Sequence, residues 1–135
     1  MFVDACAIVS IFVSEPDAGS YETALAEARS PFSSTLAAWE AILVLARPEK
    51  LNITHERCEA IVCEWLSERG IELREAAASP RDILQLAVFA AMQQGAGKRR
   101  LSSFDCFQHA YAKAAGATLL TNDRLLRATG IATAP

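Results

Sequence analysis

The sequence predicts an α/β fold with a central, short parallel sheet flanked by helices on both faces. Three observations lead there. Short apolar runs alternate with helix-length amphipathic segments, the order expected of a parallel sheet covered by helices. The chain has 135 residues, enough for one domain with a core of its own, residues 1–135 being read as a single domain. Apolar residues make up 52% and charged residues 21%, a globular composition rather than a disordered one.

The elements follow in order. Phe2-Val3 is a short apolar run ending in Asp4. A helical pattern runs from Ala5 to Val13, with Ile8, Ile11 and Phe12 on one side. Glu15-Pro16-Asp17 breaks it and starts a second amphipathic helix from Asp17 to Arg29. Pro31-Phe32-Ser33 reads as a brief strand. Ser34 or Thr35 then caps a helix through Trp39, Glu40, Ile42 and Leu43 that stops before Pro48. Thr54 opens a helix carrying Ile61, Val62, Trp65 and Leu66 and ending near Gly70. Ile71-Glu72-Leu73 alternates like a strand. Ser79-Pro80 starts a helix to Gln94, and Gly95 to Arg100 is a loop. Ser102 or Ser103 caps the helix Phe104–Ala115, which Gly116 ends. Thr118-Leu119-Leu120 is a buried strand, and Asn122-Asp123 starts a last short helix.

Thirteen Lys and Arg against sixteen Asp and Glu give a net charge of −3, which disfavours a wholly basic nucleic-acid binder but allows a local basic patch. No apolar run reaches the roughly 18 residues that would span a bilayer. The start, Met-Phe-Val-Asp, lacks a basic segment and reads as the start of a fold rather than a signal peptide. Cys6, Cys58, Cys63 and Cys106 form no CxxC pair, so reduced thiols in a cytoplasm are expected.

In parallel sheets ligands bind beyond the carboxyl ends of the strands. Asp4 and Asp123 both follow strands, and Asp105 lies in the first turn of the helix before the last strong strand. Each also has a plain structural role available: Asp4 and Asp123 as helix caps, Asp105 as the partner of Ser102. Glu40 stands among Ala37, Ala38, Trp39, Ala41, Ile42 and Leu43 on a helix apolar nearly all round, so burial is expected. A carboxylate there needs an ion pair, a proton or a bound cation. Four acids without a histidine cluster suit a hard cation, Mg²⁺ or Mn²⁺, which can activate water for in-line displacement at phosphorus.

The opening Met-Phe-Val-Asp-Ala-Cys-Ala-Ile-Val resembles that of PIN-domain proteins, specifically VapC-type toxins. The stretch from Ser103 to Ala114, with Asp105-Cys106 and an Ala-rich continuation, is similar to that family's signature helix. Ala117 to Asp123 is similar to its strand and final acid, and Glu40 stands where the family keeps its glutamate. The resemblance implies a PIN fold and a Mg²⁺- or Mn²⁺-dependent endoribonuclease, the toxin of a prokaryotic type II toxin–antitoxin system. Asp4, Glu40, Asp105 and Asp123 would form the catalytic metal site, Asp4 and Asp105 as direct ligands and the other two partly through water. It further implies an RNA substrate, a VapB-type antitoxin and a toxin homodimer. Where the family usually has Ser or Thr two residues after the first Asp, this chain has Cys6, a poorer hydrogen-bonding group; Thr121 still supplies a hydroxyl beside Asp123.

Three competing readings are open. A phosphotransferase with an Asp nucleophile would want a second acid where Cys6 stands. A catalytically weak PIN-like module would act by RNA or antitoxin occupancy. A zinc site at His55, Cys58 and Cys63 lacks a fourth ligand. Lys98, Arg99, Arg100 and Arg124 are candidates for holding RNA phosphate, with solvated surface as the alternative. Cys106 reads as a core residue, His109 as a helix-surface one, and Trp39, Trp65, Phe89, Phe104 and Phe107 as core or dimer-interface aromatics. No run of basic residues interleaved with aromatics marks an RNA-recognition signature.

Overall fold

Phe2 and Val3 point to opposite sides of a sheet and so seed two separate cores. They form the central strand β1 (Phe2–Val3) in the computed structural model, which describes residues 1–93 and 100–135. The chain continues through α1 (Ala5–Phe12), α2 (Ala18–Ala26), β2 (Phe32–Ser33), α3 (Thr35–Leu45), α4 (His55–Glu68) and β3 (Glu72–Leu73). It ends with α5 (Pro80–Gln93), α6 (Ser103–Ala114), β4 (Leu119–Leu120), α7 (Arg124–Arg127) and β5 (Thr133–Ala134). The five strands pair in parallel in the order β3-β2-β1-β4-β5.

Helices cover both faces, as the alternation requires. Val3 and Leu120 pack with Ile8, Tyr21, Leu45, Val62 and Leu66, under α1 to α4. Phe2 and Leu119 pack with Phe32, Ile83, Ala110 and Leu126, under α5 to α7. Phe2 meets Phe32 edge-on at 5.5 Å and stacks on Tyr111 at 6.4 Å.

The helix starts follow their capping residues. Ser34, Thr54 and Ser102 each accept a backbone N–H three residues on. Gly70 and Gly116, just past α4 and α6, take positive φ, which glycine adopts without a Cβ clash. The second helix ends at Ala26, three residues short of the expected Arg29. Strand β5 has no counterpart in the sequence reading, because two residues carry no measurable periodicity. The loop expected at Gly95–Arg100 lies outside the described residues except for Arg100, which is exposed.

Two expectations about burial are corrected. The helix bearing Glu40 is not buried all round: Trp39 is 48% exposed and Glu40 lies half-buried at the surface edge. Phe89, read as a core or dimer-interface aromatic, is exposed, which sets the core alternative aside. His109 is buried at 3% exposure rather than lying on the helix surface, since α6 is covered on more than one side. Its Nδ1 has no protein partner among the described residues.

The order places β1 between strands reached in opposite directions, so the chain reverses its winding at β1 and β4. In such sheets the ligand crevice is expected at that point, beyond the carboxyl ends of β1 and β4. Asp4 is the first residue past β1.

Candidate functional site

Parallel pairing of Phe2 with Leu119 and Val3 with Leu120 brings the next residues, Asp4 and Thr121, side by side. Thr121 donates its hydroxyl to Asp4 Oδ2 at 2.7 Å. Cys6 donates its thiol to the same oxygen at 3.0 Å. Asp4 is 2% exposed and occupies the N-cap position of α1, yet its side chain makes no capping hydrogen bond there. The carboxylate is turned into the crevice instead.

Cys6 Sγ also lies 3.3 Å from Thr121 Oγ1 and 3.4 Å from the Tyr21 hydroxyl. That hydroxyl accepts the Asn122 backbone N–H at 2.7 Å, pinning the loop after β4. Asn122 Nδ2 donates to Asp17 Oδ2 at 3.0 Å, a second tie to the same loop. Burial, together with the nearby Asp4 carboxylate, pushes the Cys6 thiol well above its usual range. The thiol is therefore neutral and serves as a hydrogen-bond donor, not a nucleophile.

Glu40 approaches from α3 and is held by Gln108 of α6, whose Nε2 donates to Glu40 Oε2. The other end of the Gln108 amide accepts the Ala5 backbone N–H at 3.3 Å. One buried amide thus joins α1, α3 and α6 around the crevice. Gln108 and Tyr21 were not singled out in the sequence. The signal for Gln108 was available: it stands three residues after Asp105, on the same helix face.

Asp105 lies half-exposed in the first turn of α6. Its Oδ2 accepts the Ser102 N–H at 2.7 Å, and Ser102 Oγ accepts the Asp105 N–H at 3.1 Å. That is a capping box, so the expected cap role is present. Its charge nevertheless acts on Asp4 and Glu40. Burial pushes the Asp4 carboxyl up to about 6, opposed by the hydrogen bonds from Cys6 and Thr121 and reinforced by Asp105. Burial also lifts Glu40 to about 7, with repulsion from Asp4 and Asp105 adding to it.

Asp123 makes its own hydrogen bonds at the start of α7. Its Oδ1 accepts the N–H groups of Leu125 and Leu126 at 2.8 and 2.9 Å, so it caps α7. It is not among the charges that raise Asp4 or Glu40. Its link to the crevice runs through Thr121, whose Oγ1 accepts the Asp123 N–H at 3.2 Å.

The residues present fit a hard cation that keeps much of its water. Among the described residues, no three His, Cys, Asp or Glu side chains converge tightly enough to enclose a metal ion. A Mg²⁺ ion does not require that, since one or two carboxylates plus waters suffice. Glu40 Oε1 and Asp105 Oδ1 receive no protein hydrogen bond among the described residues and are open to a cation. His55, Cys58 and Cys63 form no such group; the Cys58 thiol is buried against the Ile42 carbonyl. All four cysteines are free thiols.

Of the basic candidates, Arg100 and Arg124 are exposed, while Lys98 and Arg99 lie outside the described residues. Two depressions involve residues at or next to Glu40 and Asp105 in the sequence. One of about 200 Å³ is lined by Ala5, Cys6, Val9, Glu15, Glu40 and Val44. The other, of about 630 Å³, is walled by Leu36, Trp39, Phe104, Phe107 and Tyr111, with Thr35 and Ser103 also lining it. Among the described residues no helix is long and apolar enough to cross a membrane.

Comparison with known proteins bears on this arrangement. The model of the PIN domain family matches residues 1–132. The chain is similar in structure to VapC20 of Mycobacterium tuberculosis, a sarcin–ricin loop cleaving toxin, with a TM-score of 0.72 and 14% identity, over 96% of this chain and 95% of that one. It is also similar to FitAcB from Neisseria gonorrhoeae, with a TM-score of 0.64 and 19% identity, over 99% of this chain and 96% of that one. No curated protein sequence gives a significant match.

Proposed function

We propose, since the chain belongs to the PIN domain family, that it is a metal-dependent endoribonuclease and the toxin of a toxin–antitoxin pair. The observation that carries this reading is geometric: strand pairing and hydrogen bonds from Thr121, Cys6 and Gln108 hold Asp4 and Glu40 at the carboxyl end of the sheet, with the charge of Asp105 bearing on both. Asp4 and Glu40, raised by burial and by the charge of Asp105, are carboxylates that a divalent cation would relieve. A bound Mg²⁺ or Mn²⁺ would supply Lewis-acid chemistry, acidifying a water and stabilising charge at the scissile phosphate.

The chain's own residues would do the rest. Asp4 and Asp105 are the proposed direct ligands. Thr121 and Cys6 fix one Asp4 oxygen and thereby aim the carboxylate. Gln108 holds Oε2 of Glu40 and leaves Oε1 toward the crevice. Asp123, engaged as a cap through Oδ1, would act through water from the rim. Arg100 and Arg124, with Lys98 and Arg99, are proposed to meet RNA phosphates. The likeness to a toxin that cleaves an RNA loop supports the substrate class, and a VapB-type antitoxin and a homodimer belong to the same proposal.

The test is cleavage of labelled total RNA by the purified chain in Mg²⁺, Mn²⁺ or EDTA, beside Asp105→Asn and Ser102→Ala. Discrete fragments that need the metal and Asp105, and survive loss of the Ser102 cap, are expected. RNA binding without cleavage in any metal would instead favour a module that acts by occupancy.

A further inference from the structure

The larger depression is walled largely by aromatic side chains of α3 and α6. Trp39 and Phe104 form its rim, with ring centroids 5.6 Å apart and planes tilted by 44°. They do not stack flat on each other, and Trp39 leaves nearly half of its surface to solvent. Tyr111 and Phe107 line the same wall, and Tyr111 is fixed from behind by its stack on Phe2 of the central strand. Thr35 and Ser103 add polar side chains to the lining.

Position singles this patch out from the other exposed apolar residues. Trp39 immediately precedes Glu40, and Phe104 immediately precedes Asp105. The two helices that carry the acids therefore also carry the rim, and Gln108 locks them together. The rim rings thus stand one residue along the helix from Glu40 and Asp105, within the span of a nucleotide of them.

We infer that this pocket is a nucleobase-stacking subsite, in which an unpaired base adjoining the scissile phosphate packs on Trp39. The inference rests on the ribonuclease reading and adds the residues that grip the substrate. Aromatic rings bind bases through their π-faces, and the Thr35 and Ser103 hydroxyls suit polar atoms of a base edge or ribose. A stacked base requires an unpaired strand, so the substrate would be a loop or other single-stranded segment rather than a duplex. Trp39 acts here as a binding residue and takes no part in the chemical step.

Two measurements test it. In a Trp65→Phe, Asp105→Asn background, Trp39 is the sole tryptophan and RNA stays intact. Short single-stranded RNA should quench its fluorescence, and an oligomer made entirely of abasic residues should not. In the otherwise native chain, Trp39→Ala should raise KM by about 5- to 150-fold, the range that stacking of one base spans, with kcat within about twofold. Trp39→Phe should restore most of the loss.

Cleavage by Trp39→Ala at the native KM, with no quenching by RNA, would overturn the subsite and leave the nuclease standing. Quenching by RNA in a chain that cleaves nothing would uphold the subsite and sink the nuclease. Quenching that follows protein concentration rather than RNA would overturn the subsite in favour of a second copy covering Trp39.

Discussion

Asp4 stands at the head of a helix, where an aspartate ordinarily caps, and spends its hydrogen bonds on Cys6 and Thr121 instead. Its position was legible in the sequence, as the acid after an apolar run. Its partners were not, because Thr121 reaches it only through strand pairing across 117 residues. The folded-state values of Asp4 and Glu40, about 6 and about 7, lie above their ordinary 3.8 and 4.5. Folding therefore favours their protonated forms. This contribution to stability is full below about pH 4 and is lost as pH rises through 6 and 7. In metal-free buffer, Asp4→Asn should consequently melt no lower than the native chain at pH 8, and Mg²⁺ or Mn²⁺ should raise the melting temperature of the native chain alone. Equal rises in both, followed by thermal denaturation, would separate cation binding from Asp4. Thr121→Val removes the 2.7 Å bond and should lower metal affinity, read by calorimetry, by about 10- to 100-fold.

At the scale of elements, α6 performs two tasks with one side chain. Asp105 closes the capping box with Ser102 while its charge bears on Asp4 and Glu40. The cap was readable from Ser102 and the acid three residues on. The buried face carrying Gln108 and His109 was not, because α6 packs on α5 along one side and on α3 along another, a tertiary choice that local pattern does not encode. The same limit explains Trp39, read as a core or dimer-interface aromatic, which emerges at the surface. Ser102→Ala leaves the Asp105 carboxylate in place and removes only the hydroxyl. It should cost about 1 kcal/mol in urea unfolding while metal-dependent cleavage persists. Loss of cleavage with native stability would mean that the hydroxyl, not the cap, matters to the site.

Among the described residues, α5 presents an exposed apolar face. Leu84, Val88, Phe89 and Met92 are exposed on α5, Met92 by 74%, and Leu84, Val88 and Met92 recur four residues apart as one stripe. A contiguous apolar stripe suits contact between copies of the chain, in keeping with the proposed homodimer. Sedimentation should return a dimer, and Phe89→Glu a monomer with an unchanged melting transition; a monomeric native chain would dismiss that assembly. The α/β class and the covering of both sheet faces were legible because Phe2-Val3 and Leu119-Leu120 each offer one apolar residue to either side. The edge strand β5 was not, being too short to announce itself. Strand order has a temporal consequence. The central strand is made more than a hundred residues before its neighbour β4, and Glu40 awaits Gln108 across 68 residues. A chain without β4 lacks the Thr121 bond that fixes Asp4, and one without α6 lacks both Asp105 and the amide that holds Glu40, so the site forms late, by long-range closure.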